Sequence, residues 1–70
     1  MVRISIPSNE LKSVGYDSEH KILEIELSAM GIVQYFKVPE KVYTGLLNAK
    51  SYGEYFINKI KYIYPYKKVA

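Results

Sequence analysis

The sequence predicts a small α+β domain in which a three-stranded antiparallel meander is followed by two short helices, in the order β-β-β-α-α. Two observations carry this. Apolar residues alternate with polar ones through Leu27 and continue in a second extended run to Val38. After Pro39 the apolar spacing changes from two to three and four, the period of a helix. A third observation, the 49% of hydrophobic residues in 70, marks a folded chain rather than a disordered one.

The opening "VRISI" is expected to form a short extra edge strand that Pro7 ends. In "LKSVGYD", Val14 and Tyr16 share a face, and "DSEH" follows as a turn. "KILEIELS" alternates cleanly, with Leu23, Ile25 and Leu27 on the buried side and Glu24 and Glu26 on an exposed one. "AMG" is a tight connection in which Gly31 takes positive φ. In "IVQYFKV", Ile32, Phe36 and Val38 are expected on one face, and Val33, Tyr35 and Lys37 on the outer one.

Pro39 suits the first turn of a helix, which places Val42, Leu46 and Ala49 on one stripe. "SYGE" fits a capping box, with Ser51 accepting from the Glu54 N–H and Glu54 reaching back. It opens a second helix running to about Ile63, stopped by the extended bias of Tyr64 before Pro65. Phe56, Ile60 and Ile63 form its aliphatic stripe, and Tyr52, Tyr55, Lys59 and Tyr62 lie beside it, with Lys59 between two rings. Lys61 belongs to the solvated side. Tyr64-Pro65-Tyr66 reads as an extended exit folding back on the domain, and Lys67 and Lys68 as a flexible basic end.

Several function classes find no support. There is no cysteine, and the single His20 lies in a turn without a second histidine to share a metal. No phosphate-cradling glycine loop, nucleophile elbow or cofactor motif is present. No apolar run approaches the roughly 20 residues of a membrane span, and the N-terminus lacks the apolar core of a signal peptide, so a cytoplasmic protein is expected. A chain this small buries only about 60% of its unfolded surface, which favours a homo-oligomer.

Binding is the expected function. The net charge of +3 divides into −2 over residues 1–35 and +5 over residues 36–70, so an anionic partner would meet the second half. Tyrosines that stack and lysines that reach phosphates are the tools of single-stranded nucleic acid binding. The candidate ligand-binding residues are Tyr35 and Lys37 on the outer sheet face, Tyr52, Tyr55, Lys59 and Tyr62 on the helix, and Lys61 and Tyr66 around its exit.

"SNELKSVGYD", "LEIELS", "YFKVPEKVYTGLLNAKSYGEYF" and "IK" with "YPYKKV" after it together resemble the KTSC domain over residues 8–69. That family is named for the C-terminus of some lysyl-tRNA synthetases and also occurs as small stand-alone bacterial proteins. The motifs are Gly15–Asp17, Val38–Pro39 and the Ala-x-Ser-x-Gly of Ala49, Ser51 and Gly53. The resemblance implies one domain over residues 1–70 and, through the synthetase context, single-stranded RNA as ligand. The family's central Tyr-x-Tyr corresponds to Val33-Gln34-Tyr35, so its first aromatic is absent; an asparagine after the helix "YF" is replaced by Ile57, with Asn58 next. Two other readings fit the composition: a homo-oligomer that sequesters a nucleotide-derived small molecule, and a protein-interaction module with tyrosines at its interface.

Overall fold

A computed structural model describes all residues, 1–70. The elements run β1 (Ile4–Ser5), β2 (Leu11–Asp17), β3 (Ile22–Leu27), β4 (Gly31–Tyr35), α1 (Glu40–Leu47), α2 (Tyr52–Phe56) and β5 (Tyr66–Lys68). Between α2 and β5 the helix continues as a π-helical turn, Ile57–Lys61. The class is α+β with two helices, but the sheet has five strands in the order β1-β2-β3-β4-β5, all antiparallel, instead of three. The expected N-terminal edge strand is present as β1.

The strand that sequence reading missed is β5. Its three residues follow a proline and include two lysines, so neither length nor hydrophobicity marks them. Backbone bonds nevertheless tie it to β4: Phe36 N–H donates to the Pro65 carbonyl at 2.9 Å and Val69 N–H to the Ile32 carbonyl at 2.8 Å. Lys67 and Lys68 are therefore held in a sheet rather than forming a flexible end. Charged residues on a short edge strand discourage further pairing.

One sheet face is apolar and carries Leu11, Val14, Leu23, Ile25, Leu27, Val33 and Tyr35, all buried. A bulge between Leu11 and Ser13 lets Leu11 and Val14 both face inward although they are three positions apart. The two helices lay Leu46, Phe56 and Ile60 over this face, and Val38 enters the same cluster.

Strand β4 is oriented opposite to expectation. Cross-strand partners share a face, and Val33 pairs with Ile25 and Tyr35 with Leu23, so both point into the core. The alternation misleads because Lys37 has φ +62, which breaks the strand and returns Val38 to the inside. Counting backwards from Val38 thus inverts the faces.

The opposite sheet face is polar but not open. Glu24 is only 8% exposed, where alternation implied a solvated carboxylate. The Arg3 guanidinium pairs with it, the Gln34 amide donates to it at 2.8 Å, and Arg3 Nε donates to Ser13 Oγ at 3.0 Å. Burial pushes the Glu24 carboxyl up, but these bonds and the Arg3 charge outweigh it, and the net shift is downward. The network anchors β1 across the sheet.

Candidate functional site

The helix pair decides where the tyrosines go. The Ser51 half of the expected capping box forms, its Oγ accepting from the Glu54 N–H at 3.3 Å. From there α2 buries Gly53 and Phe56. The π-helical turn then inserts extra backbone per turn, so the stripe does not continue as α-periodicity requires. Ile60 remains buried, whereas Ile63, expected in the core, is 59% exposed, and Tyr64 packs against the core instead.

This shift divides the predicted Tyr/Lys stripe in two. Tyr55 is half-buried between the helices: its hydroxyl donates to the Val42 carbonyl at 3.1 Å, and its phenol end lies where a side chain on Gly45 would have to be. Tyr52 is likewise half-buried against the core. Lys59 is exposed, beside a shallow polar cleft that includes Ser51, Glu54, Tyr55 and Asn58. Lys59 therefore does not stand between two open rings.

Tyr62 and Tyr66 behave differently, being 78% and 60% exposed. They rim an apolar groove of about 450 Å³ between the π turn, the β3–β4 connection and β5. Leu27, Val33 and Phe56 contribute its floor, Met30 and Ile57 its walls, and Lys61 its cation. The Lys61 Nζ lies 5.3 Å from the Tyr62 ring centroid, a cation–π distance. Both ends of the π turn, Ile57 and Lys61, face this groove, and such turns recur at functional sites.

Tyr35 corrects the sequence reading most directly. It is not on the outer face: it is 3% exposed, packed edge-on to Phe56 at 5.7 Å, with Tyr66 resting on it at 5.7 Å and a 39° tilt. Burial, and secondarily Tyr66, pushes the Tyr35 hydroxyl up to about 12. Its ring supports Tyr66 from beneath and closes part of the groove floor. Val33, at the first position of the family's Tyr-x-Tyr, is buried on the same face. The two positions form no outward stacking platform, so the aromatic absent at Val33 is missing from the interior. Lys37 stays exposed at the β4–α1 junction, away from the groove.

The family-like motifs at Gly15–Asp17 and Val38–Pro39 meet in space, where the Tyr16 hydroxyl donates to the Val38 carbonyl and its ring stacks on Tyr43 at 5.2 Å. They are an architectural joint. Sequence reasoning missed Glu10 and Met30, which reach the groove from loops. The only hint in the sequence was Gly53: a Cβ there would collide with the Glu10 carboxylate, so the glycine is needed for that close approach. No group of three or more His, Cys, Asp or Glu side chains comes together as a metal site, and no helix is long and apolar enough to cross a membrane.

Comparison with known proteins places this geometry. Residues 7–66 match the KTSC domain family. An uncharacterized protein from Stutzerimonas stutzeri is 43% identical over 56 residues, covering 80% of this chain and 79% of that one. The crystal structure of a KTSC domain protein from Yersinia pestis superposes with a TM-score of 0.96 at 32% identity, covering 99% of this chain and 97% of the other.

Proposed function

The chain belongs to the KTSC domain family, and from that premise we propose that it is a non-catalytic, cytoplasmic binding module whose groove takes single-stranded RNA. One observation carries the reading: two largely exposed tyrosines rim an apolar groove that also holds Lys61, with Lys68, the strand partner of Val33, on the adjoining strand. Exposed aromatic faces stack on unpaired bases, and lysines beside them meet the phosphates. The +5 charge of residues 36–70 adds long-range attraction.

Fluorescence anisotropy with labelled single-stranded RNA, repeated across salt concentrations, tests this. Affinity should fall linearly on logarithmic axes as salt rises, because each neutralised phosphate releases counterions. Flat curves at low salt would remove the RNA reading.

The same rim supports self-association as a second reading. Met30, Ile57, Tyr62 and Tyr66 are 44%, 48%, 78% and 60% exposed around one groove, and an apolar patch of this kind is what an interface covers. Light scattering across a concentration series would show a dimer. If Tyr62→Ala and Tyr66→Ala then return it to monomer, the groove is an interface. A nucleotide captured between subunits would instead raise the melting temperature in a concentration-dependent way.

A further inference from the structure

We infer that the groove reads one unpaired guanine, with Glu10 as the residue that recognises its edge. The inference rests on the RNA-binding reading above and adds a base specificity to it. Glu10 and Lys61 both line the groove, at opposite ends of the same helical run. The Glu10 carboxylate sits against Gly53, in the first turn of α2, while Lys61 ends the π turn eight residues later. At a rise of at most about 1.5 Å per residue the backbone advances up to roughly 12 Å from Gly53 to Lys61, a span of the order of a nucleotide measured from base edge to phosphate. The same groove holds the apolar floor and the Tyr62 and Tyr66 rings, so base, stacking surface and phosphate each meet matching chemistry.

Glu10 is free to accept. The two ion pairs of the molecule are Arg3–Glu24 and His20–Asp17, so no cation claims its carboxylate. The side chain's one hydrogen bond comes from the Ser8 hydroxyl, at a long 3.5 Å. Its backbone, by contrast, is fixed. The Glu10 and Leu11 N–H groups donate to Ser8 Oγ at 3.3 and 3.4 Å, Ser28 N–H donates to the Glu10 carbonyl at 2.9 Å, and Ser28 Oγ to the Asn9 carbonyl at 2.7 Å. An acceptor with open lone pairs on a pinned loop is preorganised for a donor ligand.

The carboxylate selects the base. It accepts only, through two oxygens side by side, so it matches a ring edge presenting two adjacent N–H donors. Guanine offers N1–H and N2–H in that arrangement; unpaired adenine and cytosine offer a single amino group beside an acceptor, and uracil one imide N–H. A good bidentate pair discriminates by roughly 1–3 kcal/mol.

The experiment compares uridine oligomers in which one central position is U, A, C, G or inosine, measured by anisotropy. The guanine oligomer should bind about tenfold tighter than the others, and inosine, which lacks N2–H, should lose most of that gain. In Glu10→Gln the preference should shrink to within about twofold, while the all-uridine oligomer binds as well or better because a negative charge has gone. That opposite response separates recognition from general loss of structure. Gly53→Ala, which displaces the carboxylate without changing its charge, should also abolish the preference. RNA binding without a guanine preference, or with one that survives Glu10→Gln, overturns this inference and leaves the RNA reading standing. If no RNA binds but guanosine monophosphate raises the melting temperature of the wild type and not of Glu10→Gln, the base recognition stands and the RNA reading falls. No response to either ligand overturns both.

Discussion

Tyr55 with Lys59 and Tyr62 with Lys61 use the same residue types on one short helical run, yet only the second pair is available to a ligand. The Tyr55 hydroxyl is bonded to a backbone carbonyl of α1 and its ring is wedged between the helices. Tyr62 has no such partner and stands largely in solvent beside the groove. Tyr/Lys composition is thus not by itself a site. What separates a clamp from a binding surface is whether the phenol is already satisfied and the ring already covered.

The clearest way to break this contrast is to truncate each ring in turn. Tyr55→Ala should lower unfolding free energy by about 2–4 kcal/mol, because a half-buried ring and its hydrogen bond are both lost. Chemical denaturation would show it as a reduced midpoint. The folded fraction should still bind RNA with unchanged affinity; a large affinity loss would return Tyr55 to the site.

Tyr35 sharpens the comparison through pH. Its folded-state pKa of about 12 lies above the ordinary tyrosine value near 10. The folded protein therefore holds this proton more tightly than the unfolded chain. The associated stability is complete below pH 10 and is lost as pH rises through the folded pKa, by roughly 2–3 kcal/mol at pH 12. Denaturation midpoints measured from pH 9 upward should fall more steeply for wild type than for Tyr35→Phe. Parallel curves would mean that the hydroxyl is not buried as described.

Tyr66 lies between the two cases, since it rests on Tyr35 but is mostly exposed. Tyr66→Ala should weaken RNA binding by about 1–3 kcal/mol, one stacking contact, while changing stability by under about 1 kcal/mol. The reverse pattern would make Tyr66 part of the core.

The contrast also explains what could be read from the sequence. The meander was legible because Leu23, Ile25 and Leu27 alternate without interruption and Gly31 supplies the positive-φ turn. The Ser51 cap was legible because it depends on residues three apart. The orientation of β4 was not, because a single non-glycine residue at positive φ, Lys37, reverses the apparent faces. Ile63 failed for a similar reason: a π turn changes the period from within, and no side chain in "INKIK" announces it. Glu10 and Met30 come to the groove from loops far apart in sequence, so only the folded chain brings them beside Lys61. Local chemistry was readable, and the phase errors accumulated wherever the backbone departed from an ideal period.

The smallest expected effect isolates the two lysines. Lys59 borders a polar cleft beside a satisfied tyrosine, whereas Lys61 lines the apolar groove. Both lie at the helix C-terminal end, so removing either changes stability alike, by about 0.3–1 kcal/mol. Their effect on RNA should differ. Lys61→Ala should lower affinity and reduce the slope of log affinity against log salt by about 0.7, the loss of one phosphate contact on a single strand. Lys59→Ala should leave that slope unchanged, with at most a small loss of long-range attraction that disappears at high salt. Equal slope changes in the two variants would erase the distinction between the pairs and make the whole helical face an undirected basic surface.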